Sequence, residues 1–485
     1  LIDLIVAVTA LGLVICYNQP RAGIFLTLAT GFLADPVRKL VPGQPVILVA
    51  IVVVFAGVTF LGALKRGQIP PLRKLAARAG RMRRPVALFL ALVALQSLAA
   101  AARTGSLMIA GIGLLAYLAP VPAVLLGFGM ARSEGALVRI VLFYTFVAGV
   151  FASGIFLSAA GWDSPILSSV GEDLVAYSAD TGQALVLLCG FFRASEIAGW
   201  HCATAACLLI VLAAAYRRRS RFVALAGAAT VYFLAAIVFT GRRKAFVVVL
   251  LFVLVFGFLL VRFRRGAKTL AGVFLVAIAG AYLFGETMLF SENFASRYQL
   301  YFERERTTTT HDAIDRMKDM TVDSVGYIIR QNGLFGRGAG TGSQGSQHFG
   351  GGAELVGGSA EGGLGKILAE LGVPGVLLLA WIGVLLVRRM TGKLHRIGRR
   401  ESTRAILALG MLAMLATNAI EFLTAHQAFG DPFVLLMLGW MLGFLLGILN
   451  PSQPPEPIRR TALQPPRVAV VAPAEPIRGI VGFDV

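Results

Sequence analysis

The sequence predicts an all-α polytopic membrane protein, and three observations predict it. Of the 485 residues, 57% are hydrophobic and 14% charged, with a mean hydropathy of +0.77, whereas soluble domains carry about 25% charged residues. Apolar runs close to the ~20 residues that cross a hydrocarbon core recur from end to end. Lipid admits only helices or closed barrels, and these runs lack the short alternating strands of a barrel.

In order, the clear runs are 45–64, 86–102, 106–127, 139–158, 197–216, 222–240, 245–262, 269–288, 366–387, 403–425 and 433–449. Two less clean runs, 1–17 and 22–37, bring the expectation to about 12–13 transmembrane helices. The net charge of +20 could suggest nucleic acid, but its distribution argues against that partner. "KRGQIPPLRKLAARAGRMRR" (65–84) holds eight Lys/Arg and no acid, and "RRRSR" (217–221), "RFRR" (262–265) and "KLHRIGRR" (393–400) repeat the bias. Alternate loops lack it, which is the positive-inside pattern, so the basic loops are expected in the cytoplasm.

Four segments follow. Residues 1–288 form N-terminal transmembrane helices, 289–365 a large extracytoplasmic loop subdomain, 366–449 C-terminal transmembrane helices, and 450–485 a Pro-rich cytoplasmic tail expected to be disordered. Within the loop, "THDAIDRMKDMTVDSVGYIIRQNG" (310–333) reads as an amphipathic helix on the outer surface, with Ile314, Met317, Val325, Ile328 and Ile329 on its apolar face and Gly333 stopping it. "GRGAGTG" (336–342) lacks the Gly-Lys-Ser/Thr ending and the preceding strand of a nucleotide loop. Cys16, Cys189, Cys202 and Cys207 have no metal-ligand spacing, and no compact Asp/His cluster calls for a metal or other cofactor.

Charges at the expected outer boundary carry the functional reading, because charge at membrane depth is costly and tends to mark function. Arg193 precedes the 197–216 run. Arg242, Arg243 and Lys244 form an outer turn, against the positive-inside bias, and Glu361 opens the 366–387 run. Outward arginines can hold a diphosphate through bidentate hydrogen bonds, and a nearby carboxylate can accept a proton from a sugar hydroxyl. Arg297, Arg316 and Arg337 are further candidates in the loop. Asn418 and Glu421 suit either a cavity or helix packing.

With these residues in view, the chain resembles the O-antigen ligase and O-antigen polymerase superfamily of GT-C-type membrane glycosyltransferases. Glu361-Gly362, nine residues, then Gly372-Val373-Pro374-Gly375 fits the spacing of the family pattern before a late span. "GLFGRGAGTGS" (333–343) resembles its glycine-rich stretch, "FTGRRKAFVVVLL" (239–251) its arginine turn, and "FFRASEIAGWH" (191–201) its other arginine segment. The likeness runs from about 185 to 390.

The resemblance implies transfer from a polyprenyl-diphosphate-linked oligosaccharide donor to a saccharide acceptor at the outer face of the bacterial inner membrane, with inversion and without a metal. Arg193 and Arg243 would bind the donor diphosphate, with Arg242 beside them, and Glu361 would be the base. Glu361-Gly362 replaces the family's His-Asn, which leaves His348 as the rival base and favours polymerase over ligase. A chain-length regulator and a flippase are the further partners implied. A lipid-linked glycan transporter remains the alternative class.

Overall fold

The computed structural model describes residues 2–70, 80–131, 133–170, 175–177, 184–263, 301, 324–342, 362–398 and 403–450. Glu361, His348, Arg297, Arg316, the 269–288 run, most of the 289–365 loop and the tail after Asn450 lie outside the described residues.

The apolar runs fold as helices with boundaries close to those predicted. They are α1 (Ile2–Asn18), α2 (Pro20–Leu40), α3 (Ile47–Lys65), α4 (Arg83–Thr104), α5 (Leu107–Leu118), α6 (Pro120–Met130), α7 (Glu134–Ala159), α8 (Ser195–Ala215), α9 (Ser220–Thr240), α10 (Arg243–Phe263), α11 (Ser324–Asn332), α12 (Gly363–Gly398), α13 (Thr403–Thr424) and α14 (Pro432–Leu449). Among the described residues ten spans are long and apolar enough to cross a membrane, counting α5 and α6 as one. The protein is a multi-pass, all-α membrane protein. A short antiparallel hairpin, β1 (Val175–Tyr177) with β2 (Ala184–Val186), adds local structure to the acidic 159–195 loop.

The ends opposite the basic loops are those that the positive-inside pattern assigns to the outside, and they are called outer. Helix α8 is the centre: its apolar window is buried throughout, against α7, α9, α10 and α13. A helix apolar all round belongs in such a position. The 106–127 run is broken at Ala119–Pro120, where Pro120 starts α6 and needs no intrahelical donor. The break sends the two halves to different neighbours, α5 mainly to α4 and α6 to α14. The α6–α14 seam is built on Gly439, Gly443 and Gly447. A Cβ at Gly439 would stand 2.7 Å from the Pro120 carbonyl oxygen, and one at Gly127 would stand 2.6 Å from that of Trp440. Small residues four apart let two membrane helices approach this closely.

Two further findings concern the 333–342 stretch and the helix that it meets. Helix α12 is interrupted at Gly372 (φ 69°, ψ −169°), a backbone region essentially reserved for glycine, two residues before Pro374. The glycine-rich 333–342 stretch enters between α4, α5 and α12. Gln96 Nε2 donates to the Phe335 carbonyl at 2.8 Å, the Ala339 amide donates to the Gln96 carbonyl at 3.1 Å, and a Cβ on Gly338 would lie 2.7 Å from Ala100 Cα. Gln96 sits about two turns below the outer end of α4. The apolar face of α11 packs on α12, with Ile328 buried beside Leu368 and Ala369, while Tyr327, Arg330 and Gln331 are exposed. Gly333 (φ 76°) ends that helix as predicted.

Candidate functional site

Arg193 is held at the outer ends of three helices. Its Nη1 pairs with Asp431 Oδ2 and lies 3.3 Å from Asp35 Oδ1, while its amide donates to Asp35 Oδ2 at 3.1 Å. Asp431 is also the N-cap of α14, its Oδ1 accepting from the amides of Phe433 (2.5 Å) and Val434 (3.2 Å). A carboxylate suits that position because it meets the unpaired amides and the positive end of the helix. Two neighbours on α2 are also engaged: Lys39 Nζ donates to the carbonyls of Gly190 (2.6 Å) and Ile166 (3.1 Å), and Arg38 Nε to that of Gln44 (2.8 Å).

Beneath this cluster, His201 is buried. It stacks on Phe192 with ring centroids 5.5 Å apart, and its Nδ1 lies 2.8 Å from the Tyr144 hydroxyl. The arginine expected to bind a diphosphate is thus occupied by two carboxylates that draw α2, α8 and α14 together.

Arg242 is likewise a pin. Its Nε donates to Ser195 Oγ at 2.9 Å and its Nη2 pairs with Glu196, both in the first turn of α8. Burial lowers the Arg242 pKa from its ordinary value, against the opposing pull of Glu196. A guanidinium keeps its charge through such a shift. The next residue, Arg243, opens α10 half-buried, and Lys244 beside it is exposed.

On α13, Asn418 is a packing residue, accepting from Trp200 Nε1 at 2.8 Å and donating to the Met414 carbonyl at 2.8 Å. Glu421, one turn closer to the outer end, differs. Its Oε2 is fully buried with no hydrogen-bond partner among the described residues, and Lys244 supplies the opposite charge that reaches it. Arg193 and Arg242 therefore converge on the start of α8, and Lys244 links the adjoining turn to Glu421.

Arg337 lies on the other side of the wedge. Its amide donates to the Ala369 carbonyl at 2.7 Å and its Nη2 to the Gln331 carbonyl at 3.0 Å, which helps close the end of α11. Beside it is a polar group that the sequence reading missed. Glu370 is completely buried within α12; Oε2 accepts from the Tyr117 hydroxyl at 2.7 Å and Oε1 from the Gly342 amide at 3.1 Å. Lys366, one turn earlier, is 6% exposed. The available signal was a Lys and a Glu four apart at the head of an apolar run. Among the described residues no group of three or more His, Cys, Asp or Glu is placed to hold a metal ion.

Comparison with protein-family models, curated proteins and solved structures finds no match to this chain.

Proposed function

We propose that the protein is a membrane glycosyltransferase, moving a glycan from a polyprenyl-diphosphate carrier to a saccharide hydroxyl at the outer face of the bacterial inner membrane and most readily polymerising repeat units. The observation that carries this reading is the turn between α9 and α10. Arg242 is spent on Ser195 and Glu196, which fixes where the adjacent Arg243 emerges. Arg243 is assigned to the donor diphosphate, where a guanidinium fork can make paired hydrogen bonds. Glu421 Oε2, buried without a donor, suits a sugar hydroxyl, since such a group is rarely left unsatisfied. Glu361 is assigned as the base that deprotonates the acceptor, and Arg193 is given a positioning role.

The test is a gel-resolved extension assay in lipid vesicles with a polyprenyl-diphosphate oligosaccharide as the only sugar substrate. A ladder of longer glycans is expected from the wild type and almost none from Glu361→Gln at equal membrane abundance. An undiminished ladder from that variant removes Glu361 as the base. Absence of any product, even with added acceptors, removes the transferase reading. One observation favours a second reading. A broken helix with a buried acidic residue, α12 with Glu370, is a device of transporters, and movement of intact lipid-linked glycan without extension would support a carrier.

A further inference from the structure

Two basic stretches far apart in the sequence meet at the inner ends of α4 and α12, the ends of the basic loops. The glycine-rich 333–342 stretch fixes the register of this helix pair. A Cβ on Gly338 would stand 2.7 Å from Ala100 Cα, and the Gly338 amide donates to the Glu370 carbonyl at 3.2 Å. Ala100 of α4 and Glu370 of α12 therefore share a level, and inward of it the two helices pack together through Val93, Leu371, Val376 and Leu379. Helical residues rise by equal steps, so the same count inward from each reaches Arg83 on α4 and Val387 on α12. The 3-10 turn Gly80–Met82 ahead of α4 packs on α12, in agreement with that register.

Arg81, Arg83, Arg84 and Arg388 consequently stand at one level, and all four are exposed. Among the described residues no carboxylate pairs with any of them. None is near in sequence either, since neither 36–133 nor 371–400 contains an Asp or Glu. Each helix also carries an exposed apolar stripe that ends at an arginine. On α4 it runs through Leu95 and Leu88 to Arg84, and on α12 through Leu377, Trp381 and Val384 to Arg388, at the three- and four-residue spacings of one helix face.

A phospholipid has the same two-part form. Its acyl chains suit the stripes, and its phosphodiester suits a guanidinium, which can bond two phosphate oxygens at once. A soluble anion would use the arginines and leave the stripes idle. Clusters of Lys and Arg just inward of a membrane helix attract anionic lipid in particular.

We infer that Arg81, Arg83, Arg84 and Arg388 form a binding surface for an anionic phospholipid of the leaflet on the side of the basic loops. This surface is independent of the proposed transfer chemistry, which lies at the opposite ends of the helices.

The experiment places the full chain in nanodiscs of phosphatidylcholine with a rising share of phosphatidylglycerol and identifies the lipids that stay bound by native mass spectrometry. The wild type is expected to retain phosphatidylglycerol in preference. Arg83→Gln with Arg388→Gln is expected to weaken its affinity by on the order of twentyfold, about fivefold for each basic residue. Arg83→Lys with Arg388→Lys keeps both charges and should keep most of the preference, which separates lost charge from a damaged fold. Arg217→Gln with Arg218→Gln removes the same charge from the exposed turn after α8 and should change little. Equal retention of the two lipids by the wild type overturns the surface, as does unchanged affinity in Arg83→Gln with Arg388→Gln. An equal loss in the Arg217 and Arg218 pair also overturns it, because general attraction between the leaflet and any basic loop would then account for the binding.

Discussion

Two buried cations at the outer ends of the helices meet opposite circumstances. Arg193 sits between Asp35 and Asp431, carboxylates supplied by helices far away in sequence, and its neighbours Arg38 and Lys39 end on backbone carbonyls. Lys366, at the head of α12, is 6% exposed, and no ion pair reaches it among the described residues. In the sequence each is a basic residue just ahead of or inside the head of an apolar run, and Arg193 is the more conspicuous. The difference teaches that position at a membrane boundary identifies a costly charge but does not say whether the fold has already neutralised it. An engaged cation such as Arg193 holds helices together.

The largest effect is expected where the neutralised cluster is broken. Asp431→Ala removes a partner of Arg193 and the cap of α14 in one change. Losing one member of a buried ion pair costs about 3–5 kcal/mol, so the protein should unfold well before the wild type in a detergent thermal melt. Asp431→Asn keeps an oxygen that can cap the helix and should fall between the two. A variant Asp431→Ala that melts with the wild type would show that the Arg193 cluster does not clamp the helices.

The second largest concerns the break that separates the Lys366 half-helix from the rest of α12. Gly372 adopts a conformation that costs a side-chain-bearing residue about 1–3 kcal/mol, and an added Cβ would also run into the Leu334 carbonyl. Gly372→Ala should therefore destabilise the protein and loosen the 333–342 wedge. Limited proteolysis reads the second part, since cleavage near 333–342 should speed up; an unchanged digestion pattern would mean that the wedge is held without the break.

The helices themselves were readable because length and apolarity decide them: the 197–216 and 222–240 runs became Ser195–Ala215 and Ser220–Thr240. The partners were not readable. Nothing local to "GFFRASEIAGWH" announces Asp35 or Asp431, because the ion pairs depend on how α2 and α14 pack beside α8. The spacing marks Gly372, while its positive φ and the entry of 333–342 between helices arise from contacts across the chain. Glu370 is a single carboxylate inside an apolar run, which gives no local signal, and donors to it come from Tyr117 and Gly342, distant in sequence.

A smaller change tests whether Glu370 is as settled as Arg193. Tyr117→Phe removes the hydroxyl that donates to Glu370 while preserving the ring. Leaving a buried acceptor short of a partner costs about 1–3 kcal/mol, measurable as a lower melting temperature. If the carboxylate instead turns to Lys366, the loss should shrink. Unchanged stability would mean that the Tyr117 hydroxyl is not what satisfies Glu370.

The smallest effect is expected at the Trp200–Asn418 contact in the core, which lies one turn below the unpartnered Glu421 oxygen. Interhelical hydrogen bonds within membranes average about 0.6 kcal/mol and reach about 1.7, because a released group commonly finds another acceptor or donor nearby. The Asn418 Nδ2 also donates to the Met414 carbonyl of its own helix, so the side chain stays held when Trp200 is changed. A double-mutant cycle of Trp200→Phe and Asn418→Leu should therefore give a coupling energy near the lower figure, and extension activity should stay close to that of the wild type. A coupling near zero would mean that the contact contributes packing alone. A large loss of activity at unchanged stability would move Asn418 out of the packing class and into the neighbourhood of the substrate, extending the site from Glu421 one turn deeper into the bundle.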